Sequence, residues 1–136
     1  MSLTLIALAA AVATHTVQID HRGAPVEATY TARADVKTRT VGAHTPNRAD
    51  MRRCHWKATV VVDRQLSHSP SLTRAIPTDH AFSGSEAGAC TPGRDIAARQ
   101  VAKHQDNIRA HLMTVAQQDR APLLAELDAI RNLASN

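Results

Sequence analysis

The sequence predicts an α+β fold: a small antiparallel β-sheet of about three to five strands, covered by a C-terminal helix or helix pair, with one disulfide. Three observations predict it. Within residues 54–66, Cys54, Trp56, Ala58, Val60 and Val62 recur at period two on one face, while His55, Lys57, Thr59, Val61 and Asp63 make a wetter opposite face. Within residues 95–118, Ala97, Val101, Ile108, Leu112 and Val115 form one apolar stripe at helical spacing, uninterrupted by Gly or Pro. The third is the pair Cys54 and Cys90, the two cysteines of the chain.

The chain has 136 residues, one domain's worth, and its 43% hydrophobic content overstates the core. Alanine supplies 25 residues, and beyond Ala13 only 26 Val, Ile, Leu, Met, Phe, Trp and Tyr remain. Much of the alanine is expected on the helices. Such a core needs a staple, and an even cysteine pair in an oxidising compartment supplies one. Closing a loop of about 37 residues is worth roughly 4 kcal/mol on the chain-entropy view.

Taken in order, residues 1–13 read as a signal peptide. The run LTLIALAAA at 3–11 is apolar, and Ala11-Val12-Ala13 has the small-x-small form of a cleavage site, although no Lys or Arg precedes the run. Residues 14–136 then form a single domain. In its β-rich part, residues 14–93, Val17 and Ile19 begin a strand and Arg22-Gly23-Ala24-Pro25 is the expected turn. Val26, Ala28, Tyr30 and Ala32 complete a hairpin, and residues 36–41 extend it as a polar strand. Gly, Pro and Asn mark 42–50 as a loop, and the strong strand follows. Residues 67–93, rich in Ser, Pro, Gly and Thr, are expected to be a loop region holding one or two short strands. Residues 94–136 are the helical segment. Asp119 is placed to cap a second helix with Pro122 in its first turn and with Leu123, Leu127, Ile130 and Ala134 as its buried face.

Composition removes several functions. No apolar run approaches the roughly 20 residues of a membrane-spanning helix. One Trp, one Tyr and one Phe make no stacking platform, so nucleic acid is the least favoured partner. His104 and His111, seven apart on one helix, are separated by about 10.5 Å along its axis, too far for one ion, and read as boundary residues; no metal and no cofactor is expected. The segment Gly84-Ser85-Glu86-Ala87-Gly88 only superficially resembles a serine-hydrolase elbow, because Ser85 directly follows the first Gly and no helix is signalled after it. It reads as loop.

The net charge of +4 is concentrated in the sheet half, where residues 14–66 hold nine Lys or Arg against five Asp or Glu. Arg48, Arg52, Arg53 and Lys57 are the densest group and a candidate anion-binding patch, open to an anionic polymer, lipid or protein partner. The plainer account of these cations is a solvated edge strand whose charge discourages edge-to-edge pairing. The expected function is a non-enzymatic binding or structural module of the cell envelope or secreted space. The alternative is a small enzyme or redox protein using a reactive Cys54 among its basic neighbours, or a His-based metal site.

Overall fold

Alternation along the first two strands is answered in three dimensions by a long hairpin. The computed structural model of the chain describes residues 11–67, 69–90 and 96–135. Strand β1 (Ala11–His21) pairs antiparallel with β2 (Ala24–Val41). The turn is shorter than predicted: Arg22 and Gly23 alone carry positive φ, 52° and 82°, the two-residue geometry whose twist suits a hairpin, and Pro25 already lies in β2 opposite Asp20. The predicted signal peptide lies mostly outside the described residues, but β1 begins at Ala11, so the expected cleavage point after Ala13 falls inside the strand.

β2 runs unbroken through the predicted polar extension and pairs along its length with β3 (Arg53–Leu66), from Ala28 opposite Leu66 to Val41 opposite Arg53. β4 (Ser69–Ile76) and β5 (Ala81–Ala87) then share the other edge of β3, β4 along residues 62–66 and β5 along 53–59. The five-stranded antiparallel sheet thus has β3 at its centre. The loop region expected at 67–93 holds two strands, the upper number expected, and both are longer than the composition implies. Their sequences have little strand propensity, and pairing with β3 supplies the order that composition does not. Ser85 and its neighbours belong to β5.

The helical segment is three helices, α1 (Ile96–Lys103), α2 (Gln105–Gln118) and α3 (Arg120–Ser135). α1 and α2 are nearly collinear in hydrogen bonding, since His104 N–H donates to Gln100 and Ile108 N–H to His104. The predicted stripe faces the sheet at Ile108, Leu112 and Val115, which pack on Ile19, Val26, Ala28, Tyr30, Ala32 and Val62. Fully buried Ala28 and Ala32 leave room above β2 for these larger helical side chains. Buried alanine is therefore mainly a property of the sheet (Ala13, Ala28, Ala32, Ala34, Ala58), with Ala116 its helical counterpart. In α3 the predicted face is only partly covered: Leu123 is buried and Leu127 half-buried, but Ile130 is 40% exposed, and Ala134 lies outside the described side chains.

At the other end of the sheet Cys54 and Cys90 form the predicted disulfide. It sits in a smaller cluster with Trp56, Ala58 and Ile96, with Phe82 packed alongside. Trp56 is the core anchor beside cystine that its position implied. A Cβ on Gly84, its cross-strand neighbour, would lie 2.7 Å from the indole, so only glycine fits there. Cys54 is fully buried and bonded, which closes the reactive-thiol reading.

Candidate functional site

Because the helices cover one face of the sheet, the opposite face is a single open layer. β3 sends its odd-numbered side chains there, and Arg53, His55 and Lys57 are all exposed. The antiparallel register brings in residues that the linear sequence keeps apart: Lys37 stands directly opposite Lys57, Arg39 opposite His55, and Val41 opposite Arg53. On the other side of β3, Ser83 and Ser85 flank Lys57 and His55. Lys37, Arg39, His55, Lys57, Ser83 and Ser85 line a shallow groove of about 510 Å³, and Val41 and Arg53 are the next pair on the same face, beyond its end. Its floor is the row of Thr38, Trp56 and Gly84, whose side chains, where present, point away toward the helices.

Of the predicted patch, Lys57 lines this groove, Arg53 is exposed on β3 just beyond it, and Arg48 is exposed on the β2–β3 loop. Arg52 is already paired within the loop. Its guanidinium grips Asp50 through Nε at 3.0 Å and Nη2 at 2.9 Å, while its backbone N–H donates to Asp50 Oδ1. Those hydrogen bonds hold the Asp50 carboxyl down to about 2. Lys37 and Arg39, which belong to another stretch of sequence, take its place. Among the described residues Lys37, Arg39, Arg53 and Lys57 form no ion pair; Arg53 donates only to the Ser85 hydroxyl, at 3.1 Å. Nor does the edge-strand account hold for Arg53 and Lys57, since β3 is hydrogen-bonded on both sides. Two lysines directly across an antiparallel pair repel each other, and neither forms an ion pair among the described residues, the nearest carboxylate on that face being Asp35 at the next same-face position of β2.

A second polar assembly lies on the helix side and was not foreseen. Arg64, only 1% exposed, continues the apolar face of β3 and points among core residues. Its guanidinium bonds the Asp119 carboxylate and Glu126, and Asp119 also accepts the Tyr30 hydroxyl at 2.7 Å. Burial lowers the Arg64 pKa, but the hydrogen bond and charge of Asp119, with the Glu126 charge, outweigh it, and the net shift is upward. Burial, then the hydrogen bond to Asp119, pushes the Tyr30 phenol far up. Asp119 does stand between α2 and α3, as predicted, but its carboxylate turns into the core where a helix cap was expected. Arg74 reaches Glu126 from the rim, and the assembly forms the floor of a cleft of about 410 Å³ bounded by Thr78 and His111. Its two arginines and two carboxylates pair with one another, as in a structural network, although Arg64 Nε has no hydrogen-bond partner among the described residues.

The histidines behave as boundary residues. His104 stacks on Phe82 with centroids 4.4 Å apart, and His111 on His80 at 4.2 Å, each joining helix to sheet. His111 also meets Thr78 Oγ1 at 2.6 Å. Burial, then the neighbouring His80, lowers the His111 pKa. No cluster of three or more His, Cys, Asp or Glu placed to hold a metal occurs among the described residues. No helix among them is long and apolar enough to cross a membrane. Among the described residues the geometry thus defines a disulfide-stapled α+β domain with one face open, and cationic around Lys37, Arg39, Arg53 and Lys57. No protein-family model, curated protein or solved structure matches the chain.

Proposed function

We propose that the chain is an exported, non-enzymatic binding module that meets an anionic partner on the open face of its sheet. The observation that carries this reading is the rung of Lys37 against Lys57, neither of which forms an ion pair among the described residues, extended by Arg39 and Arg53. Four cations are held there on a rigid layer, at a cost in repulsion that binding an anion would relieve. Export is supported by the apolar amino terminus with its Ala11-Val12-Ala13 site and by a disulfide, which persists in oxidising compartments. Cleavage after Ala13 would leave residues 14–21 paired with 24–31.

Titration with heparin as a soluble polyanion, followed by calorimetry at two salt concentrations, tests the binding reading. Binding should weaken as salt rises and fall about tenfold or more in the Lys37→Gln/Lys57→Gln variant, because each exposed cation contributes through a screened field. Equal affinity in a variant that also carries Arg39→Gln and Arg53→Gln would overturn it. Intact-mass analysis of natively expressed protein, with and without alkylation, tests export: an uncleaved chain with two alkylatable thiols is the refuting result.

A further inference from the structure

Beyond the groove, at the Arg53 end of β3, the β2–β3 hairpin closes through residues 42–52, and two large apolar side chains stand among its exposed polar ones: Val41 is 40% exposed and Met51 75%. Val41 is the cross-strand partner of Arg53, and Met51 lies two residues before it. The two sides of the hairpin are in close contact here, since a Cβ on Gly42 would sit 3.0 Å from the Met51 carbonyl oxygen. Exposure of Met51 is built in. Asp50 clamps both the backbone N–H and the guanidinium of Arg52, bridging across residue 51. A methionine so displayed has no use in gripping a soluble polyanion.

Resting on the anionic-partner reading above, we infer that the partner is a membrane surface bearing anionic lipid. In this arrangement the row of Lys37, Arg39, Arg53 and Lys57 lies over lipid phosphates. Met51 and Val41 enter the boundary between headgroups and acyl chains. The two features answer the two demands of peripheral binding, charge attraction to an anionic leaflet and a small apolar area to bury. Arg48, exposed on the same loop, adds a fifth cation near the insertion point. Spatial scale agrees: Arg53 to Lys57 spans four residues of strand, about 14 Å, enough to cover two or more headgroups in a plane.

Co-sedimentation with vesicles tests the inference on the full chain, comparing pure phosphatidylcholine with a mixture containing 30% phosphatidylglycerol. A heparin titration of the same proteins runs in parallel. The chain should partition onto the anionic vesicles and not onto the neutral ones. Lys37→Gln/Lys57→Gln should weaken vesicle partitioning about 25-fold, on roughly fivefold per cation near the surface. Met51→Ser should weaken it about fivefold while leaving heparin affinity unchanged, because the serine removes apolar area and no charge. The mutated side chains are exposed, and unchanged Trp56 emission would confirm that each variant is folded. Heparin binding without vesicle binding, or Met51→Ser partitioning like the parent, would overturn the membrane inference and leave the anionic-partner reading standing. Failure to bind either probe would overturn both.

Discussion

Replacing Asp119 with alanine strips the buried Arg64 guanidinium of its central carboxylate and orphans the Tyr30 hydroxyl in one step. Arg64 has nowhere to go. It is 1% exposed in the strand at the centre of the sheet, and its Nε has no hydrogen-bond partner even in the parent. Breaking a buried ion pair by removing one partner costs about 3–5 kcal/mol, because the remaining charge stays desolvated. Glu126 still binds Arg64 and is partly solvated, so the lower end applies, about 3 kcal/mol. With a urea m-value of about 1.5 kcal/mol/M, the oxidised protein should lose about 2 M in its unfolding midpoint, followed by Trp56 fluorescence. Removing the buried trio with Tyr30→Phe, Arg64→Met and Asp119→Leu should recover much of that loss, since Glu126 keeps Arg74 as its partner and no buried charge is left unpaired. An Asp119→Ala midpoint within 0.5 M of the parent, on the order of 1 kcal/mol or less, would refute the argument that this carboxylate is what permits an arginine in the core.

Three further outcomes are expected. Gly84→Ala should destabilise by about 1–3 kcal/mol and perturb Trp56 emission, because a Cβ would meet the indole at 2.7 Å in a site with no room to yield; an unchanged melting temperature would contradict this. The double change Cys54→Ala/Cys90→Ala should lower stability by about 4 kcal/mol in denaturant titration, and a loss under about 1 kcal/mol would mean that the sheet needs no staple. The lowered pKa of His111 means that the folded chain disfavours its protonation. Stability from this site is thus complete above the unfolded value of 6.5 and declines as pH falls below it toward the folded value. His111→Gln should flatten the decline measured between pH 7 and 5, and an unaltered slope would assign it elsewhere.

The features legible in the sequence are those set by local periodicity or pairwise arithmetic. β3 announces itself through five apolar residues at period two, and the cysteine pair and Trp56 follow from it. The helical stripe is equally visible, although the bend at His104 is not, because backbone hydrogen bonding runs almost unbroken through it. β5 is legible only as one of the short strands expected within 67–93, because Ala, Ser and Gly have little preference for strands and its full length comes from pairing with β3. Arg64 was in plain phase with the apolar face, two residues after Val62, but a charge at that position reads as the strand leaving the core. Only the carboxylate 55 residues later makes it a core residue. Asp119 marks the helix junction correctly from local chemistry, and its side chain is then claimed by distant partners. The basic patch was half visible. A cluster in sequence is not a cluster on a surface: Arg52 is lost to Asp50 two residues away, and Lys37 and Arg39 enter only through strand register.

Register is also where the buried polar trio has its widest effect. β2 and β3 repeat small or β-branched residues at alternate positions, Ala28, Ala32 and Ala34 on one and Ala58, Val60 and Val62 on the other. Sliding one strand by two residues keeps every apolar side chain on the covered face, so hydrophobic burial barely distinguishes the slipped hairpin from the native one. Arg64 does distinguish them. A slip moves it from Tyr30 to face Ala28 or Ala32, away from the phenol with which it shares Asp119. The slip that sets Arg64 against Ala28 would also set Lys57 against Asp35, neutralising the cationic face. By fixing the alignment of the hairpin from inside the core, Tyr30, Arg64 and Asp119 keep two lysines opposed on its far side, and the surface charge pattern is decided by residues that never reach the surface.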